Sequence, residues 1–314
     1  MALKQVIDVY ELLDTAKIEE SELKNFFLKR GIKPSEIEIR KVKEKKRDTQ
    51  FVKINLGGEK GKSKGGKMPT LGIIGRLGGI GARPYKIGLV SDADGAIVAL
   101  ASAARLIEMR KKGDVLKGDV FIATHLCPCS PIIPHQPVPF MGAPVSMETM
   151  NLQEVDKRME AILSIDTTKG NRIINHKGFA ISPTVKDGYI LKVSEDLLDI
   201  MQVVTGKLPV VFPITTQDIT PYGNEVYHLN SIMQPATATS APVVGVAITT
   251  EVAVPGCATG SSHSIDIEMA VRFVVEVAKA FGEGACSFYD EKEFERLVSL
   301  YGSLEHLKTL GKKS

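Results

Sequence analysis

The sequence predicts an α/β fold built on a mostly parallel mixed sheet with helices on both faces. Three observations predict it. From about residue 86 onward, short runs rich in Val, Ile and Leu alternate with longer helical patterns, the signature of strand–helix–strand units. Asp92, Thr124 and Asp166 stand just past apolar runs, where open α/β sheets place their chemistry. The 314 residues, 43% hydrophobic and 25% charged, have the composition of a globular chain with a large core.

Each element follows from its own pattern. Leu3, Val6, Ile7, Tyr10 and Leu13 have helical spacing, and Ile18, Leu23, Phe26, Phe27 and Leu28 repeat it before Lys29-Arg30-Gly31 ends the helix. Ile37, Ile39 and Val42, then Phe51, Val52 and Ile54, read as a hairpin with a charged tip over 43–49. Residues 57–67 form a Gly/Lys loop, and 70–75 and 86–90 are short apolar strands. An Ala-rich helix over 94–112 ends in Arg110-Lys111-Lys112-Gly113, a favourable helix C-terminus. A buried strand at 120–123 leads into a loop over 125–147 carrying six prolines, a length typical of functional or disordered loops. Strands at 161–165, 210–214 and 243–249, a hairpin at 178–193, helices at 195–206 and 265–281, and two short helices within 291–310 complete the chain. The expected organisation is a helical appendage over 1–35 and one α/β domain over 36–314, without an inserted lid domain.

The bulk numbers exclude several classes. A net charge of +3 and 6% aromatics without Trp argue against nucleic acid. No apolar run reaches the length of a membrane helix. The N-terminus lacks the pattern of a signal peptide, and four cysteines do not make a disulfide framework. The expected home is a reducing cytoplasm.

Several residues carry chemistry, each against a plainer reading. Asp92 and Asp94 flank a strand end and a helix start. One suffices as a helix cap, and the second is free for a metal or a substrate amine. His125, Cys127, Cys129 and His135 cluster after the next strand. Zinc accepts such ligands, but the Cys-Pro-Cys spacing is tight, and cysteine is also a common core residue. Asp166 ends a strand and is either a ligand or a turn residue. His263 sits on a small-residue loop just before the long helix and is either a ligand or a surface histidine. Arg76 stands among the glycines of 72–81 and Arg83 just after them, in a segment that either nests an anion or is solvated. The glycine spacing there is not a dinucleotide fingerprint.

The order strand–Asp92–helix, strand–Thr124, strand–Asp166, His263–helix resembles the co-catalytic zinc exopeptidases of the glutamyl aminopeptidase type. In those enzymes an Asp closely followed by Gly bridges two metals, and Asp92-Ala93-Asp94-Gly95 looks like that motif. The resemblance implies Asp92, Asp166 and His263 as metal ligands; read as an enzyme, the chain would hold one divalent metal such as zinc as cofactor, with Asp94, Arg76 and Arg83 as substrate contacts. Over its whole length the chain also resembles a prokaryotic family known as domain of unknown function 1177, which implies no reaction. The chain departs from the exopeptidases in three places. Residues 74–81 contain neither His nor acid where those enzymes have His-x-Asp. His125-Leu126-Cys127-Pro128-Cys129 follows Thr124 where they have adjacent glutamates. No inserted domain fits between Arg83 and Asp92.

Two functions follow. The first is a metal-dependent hydrolase of a small amide or peptide-like substrate with an altered metal site, in which His125, Cys127 or His135 supplies the acid–base or nucleophilic group. The alternative is a non-catalytic binding protein for an amino-acid-like ligand on a degenerate exopeptidase fold. The expected partners are that small molecule or peptide and further copies of the chain, with no nucleic acid and no membrane.

Overall fold

The computed structural model describes the chain except for residues 16, 45–46, 77, 81–87, 129, 131, 135, 137, 216–231, 259 and 312–314, and the side chains of 47 and 140. Two N-terminal helices, α1 (Leu3–Leu13) and α2 (Glu20–Arg30), precede an antiparallel hairpin of β1 (Ile37–Glu44) and β2 (Arg47–Leu56). Then come β3 (Thr70–Gly75), α3 (Asp94–Lys111), β4 (Asp119–Leu126), the small ribbon of β5 (Ile132–Ile133) and β6 (Phe140–Met141), and α4 (Met147–Glu154). β7 (Ala161–Thr168), β8 (Gly178–Ile181), β9 (Val185–Lys186), β10 (Tyr189–Ile190) and α5 (Glu195–Thr205) follow. The chain closes with β11 (Val243–Thr249), α6 (Ser264–Gly282) and α7 (Glu291–Tyr301).

Among the described residues nine strands form one mixed sheet. Its centre is parallel, in the order β4-β3-β7-β11. β2 and β1 extend it antiparallel on one side, and β8 pairs antiparallel with β11 on the other. The central strands are buried along their length except at Thr167, as expected of strands covered on both faces. Alternation divides them cleanly. Ile73, Ile122, Leu163 and Val246 join α3 and α6 in the main core, whereas Ile74, Phe121, Ile162 and Ala247 pack on the opposite face with Phe212 and Met233. α4 lies over β2 and β4 through Met147 and Met150, which pack with Phe51.

α3 is buried nearly all round, and its alanines let α1, α6 and the sheet approach it closely. The segment expected as an appendage is part of this core. Val6, Val9, Leu13, Leu23 and Phe27 are fully buried in it. Gln5 donates to Glu108 at 2.6 Å, and Arg30 reaches Asp8 at 2.5 Å. An amphipathic helix has to bury its apolar stripe, and α3 offers the nearest apolar surface.

Two expected strands are absent from the described residues. Within 88–90 only Leu89 bridges to Ile80, because Gly88 at φ +123° turns the chain. Within 210–214 only Val211 bridges to Ile181, and Pro209 and Pro213 withhold ladder donors there. Among the described residues no helix is long and apolar enough to cross a membrane.

Candidate functional site

The carboxyl ends of the parallel strands meet the N-termini of α3 and α6. Gly95, in the first turn of α3, permits this approach. A Cβ at Gly95 would lie 2.5 Å from the Ile165 carbonyl oxygen and 2.7 Å from that of Arg76. The missing side chain thus lowers Asp92 and Asp94 onto the ends of β3 and β7.

Asp94 is buried, and both its oxygens are engaged. Ser262 donates to Oδ1 at 2.6 Å, and Lys169 Nζ lies 3.4 Å from Oδ2. Lys169 also donates to the Ser261 carbonyl at 3.1 Å. Asp92 packs against Gly256, where any Cβ would collide with its carboxylate. It accepts a hydrogen bond from the Met141 amide, and its own amide donates to the Gly256 carbonyl at 3.1 Å. The preceding Ser91 fastens the loop, donating to the same carbonyl at 2.8 Å and accepting from Ser261 at 2.5 Å.

Burial pushes the Asp92 carboxyl up to about 7, with Lys169 opposing and Asp94 adding to the rise. Burial likewise lifts Asp94 to about 6, against the pull of Lys169 and the Ser262 hydroxyl. His263 takes the N-cap position of α6. Its carbonyl accepts from the Asp266 and Ile267 amides, and its exposed side chain stands close enough to act on Asp94. Asp94 is therefore held by Lys169 and Ser262, with Asp92 and His263 near enough to act on it electrostatically.

Asp166, His125 and Arg76 belong to a second grouping. Gly75 pairs with Thr124 on one side and Ile165 on the other. Arg76, His125 and Asp166, one position further, form a row on the face away from α3. Arg76 is fully buried. Its Nη1 donates to Glu154 at 2.8 Å and its Nη2 to Asn151 at 2.7 Å. His125 Nδ1 lies 2.5 Å from the other Glu154 oxygen. Asn151 passes the network on to Thr237 Oγ1 at 3.1 Å. Arg76 is thus a structural cation whose Nη groups serve the interior, in place of the ligand contact expected of it. Asp166 accepts from the Thr167 amide at 2.7 Å. Cys127 is buried just past β4, and its backbone continues the ladder to Gly78 and Ile80. Arg83 and His135 lie outside the described residues.

Sequence reasoning missed Lys169, Glu154 and Asn151. Lys169 directly follows a strand end, a usable signal. Asn151 and Glu154 stand three apart on a helix, which places them on one face but does not announce a buried ion pair.

The residues present also test the metal that the resemblance implies. Asp94 gives both oxygens to Ser262 and Lys169, and the lysine ammonium stands at the acid pair. Among the described residues no group of three His, Cys, Asp or Glu side chains is arranged to hold an ion. The described residues do not fit a two-metal centre.

The architecture is that of the aminopeptidase-type α/β fold. The chain superposes on the crystal structure of a cytosol aminopeptidase from Coxiella burnetii with TM-score 0.52 and 14% identity, covering 90% of this chain and 69% of that one. A tomato leucine aminopeptidase mutant gives TM-score 0.52 at 11% identity, with 88% of this chain and 61% of that one covered. A Bacillus subtilis protein described as a dinuclear metal-binding peptidase of the M20 family gives TM-score 0.48 at 11% identity, with 90% and 98% covered. At such identities the likeness is one of fold. By sequence the chain belongs to the family described as protein of unknown function (DUF1177), which it matches over residues 40–311. No curated protein matches it.

Proposed function

We propose that the chain binds a small amino-acid-like or amide-like ligand through its amine, at Asp92 beside the Asp94–Lys169 pair. One observation carries this reading. A buried carboxylate, Asp94, and a half-buried one, Asp92, lie by a single ammonium, that of Lys169, so the cluster is one positive charge short when both acids are ionised. A ligand ammonium supplies that charge in a desolvated setting, where charge-assisted hydrogen bonds are strong. Lys169, an ammonium group held between Asp94 and the Ser261 carbonyl, supports the reading.

Hydrolysis of a small amide is a second reading, favoured by the fold shared with aminopeptidases and by an Asp92 carboxyl held near neutrality. A group of that acidity suits proton transfer to and from water at physiological pH. No step is assigned to a metal. The test is calorimetric titration of leucinamide into the protein with and without chelator, while ammonia release is followed. Binding that survives chelation and is lost in Asp92→Asn supports the proposal, and ammonia release adds the hydrolytic reading. Stoichiometric metal retained through purification and required for binding would overturn it.

A further inference from the structure

Resting on the hydrolytic reading of the site, we infer that Ser262 is an acyl-accepting nucleophile, with Asp94 as its base and a small ester or amide carbonyl as its target. The hydroxyls at this sheet edge differ in what receives their proton. Ser91 donates to the Gly256 carbonyl at 2.8 Å, Thr167 to the Ser91 carbonyl at 3.1 Å and Ser261 to the Ser91 hydroxyl at 2.5 Å. None of these acceptors is a base. Ser262 donates to a carboxylate, Asp94 Oδ1, at 2.6 Å, the contact by which a base activates a hydroxyl. Lys169 Nζ lies 3.4 Å from the other Asp94 oxygen and donates to the Ser261 carbonyl at 3.1 Å. One cation thus fixes both the base and the chain next to the nucleophile. Ser262 is half-buried and Asp94 fully buried, so an incoming carbonyl meets the hydroxyl before its base. Ser63 also donates to a carboxylate, Asp119, at 2.7 Å, but that acid accepts the Gly58 and Ser63 amides as well and organises a turn. Asp94 accepts from no backbone amide among the described residues.

Ser262 precedes His263, the N-cap of α6, whose side chain makes no capping bond. Among the described residues no acceptor reaches the Ser264 or Ile265 amide, because the first amides of a helix have no partner within it. Such donors beside the nucleophile suit the negative oxygen of a tetrahedral intermediate. In the reaction, an Oγ lone pair of Ser262 bonds to the carbonyl carbon and the Oγ proton passes to Asp94. The bond from that carbon to the amine or alcohol breaks, and Asp94 returns the proton to the leaving group. Water then attacks the acyl-Ser262 ester and gives one proton to Asp94. The ester bond breaks as that proton returns to Oγ. The products are a carboxylic acid and an amine or alcohol, and no reactant besides water enters.

The experiment treats the whole protein with an alkyl fluorophosphonate, which loses fluoride as its phosphorus bonds a nucleophilic hydroxyl. Mass spectrometry of the peptides locates the adduct. The expected result is labelling of Ser262 in preference to the exposed Ser264, slowed about 10²–10⁴-fold in Asp94→Asn. A second measurement leaves Asp94 intact: p-nitrophenyl acetate should acetylate Ser262, with nitrophenolate release lost in Ser262→Ala. No Ser262 adduct with either reagent, or labelling indifferent to Asp94→Asn in a variant shown by circular dichroism to be folded, overturns the inference. Ammonia release from leucinamide that persists in Ser262→Ala also overturns it and leaves the hydrolytic reading standing. A Ser262 adduct without ammonia release supports the nucleophile and overturns amide hydrolysis.

Discussion

Glu154→Gln is expected to destabilise the protein strongly although it deletes no heavy atom. Glu154 is fully buried between two cationic or potentially cationic partners, the Arg76 guanidinium at 2.8 Å and the His125 ring at 2.5 Å. Arginine cannot give up its proton in a protein. In the variant, Arg76 remains a buried cation whose acceptors are the neutral Asn151 oxygen and a neutral amide. Breaking a buried pair from one side costs about 3–5 kcal/mol. Globular proteins unfold with about 2.1 cal/mol/K of entropy per residue, so a loss of about 4 kcal/mol in a chain of this length lowers Tm by about 6 °C. Urea denaturation followed by circular dichroism measures the first quantity and calorimetry the second. Arg76→Met/Glu154→Gln should be more stable than Glu154→Gln alone, with a coupling of about 1–3 kcal/mol, because it removes the stranded charge. A Glu154→Gln loss below about 1 kcal/mol, or a double variant no more stable than the single one, would refute the reasoning.

Further expectations concern the site loop and the core. Gly95→Ala places a Cβ 2.5 Å from the Ile165 carbonyl and should cost about 1–3 kcal/mol as α3 is forced off the sheet; thermal unfolding reads it, and an unchanged Tm would contradict the close approach. Because the folded Asp92 carboxyl is raised to about 7 from an unfolded value of about 3.9, the folded state holds a proton that the unfolded chain has released. The resulting penalty is absent below about pH 4 and grows toward pH 7. Asp92→Asn should therefore stabilise the protein at pH 8 more than at pH 4, and a gain equal at both would count against the burial argument. Burial, with Asp196 adding, pushes the Cys286 thiol up to about 12, so iodoacetamide should label Cys286 in urea and spare it in the native protein; mass spectrometry of the alkylated peptides decides.

The sequence by itself determined the alternation of strands and helices. The elements 94–111, 161–168, 243–249 and 264–282 were legible because apolar periodicity and cap residues are local properties, encoded within a few turns of chain. It also marked Asp92, Asp94, Asp166 and His263 as residues at strand ends and helix starts. What it could not decide depends on partners distant along the chain. Whether residues 1–35 form an appendage or a core layer depends on the apolar surface α3 presents, some 90 residues later. That Arg76 faces inward rather than toward a ligand is set by Glu154, 78 positions away. Asp166 faces away from α3 because one step along a strand reverses a side chain's face, whereas Asp92 lies in the turn that leads into α3. Lys169 reaches Asp94 because Gly95 seats α3 on the strand ends, a relation that only the packed molecule creates.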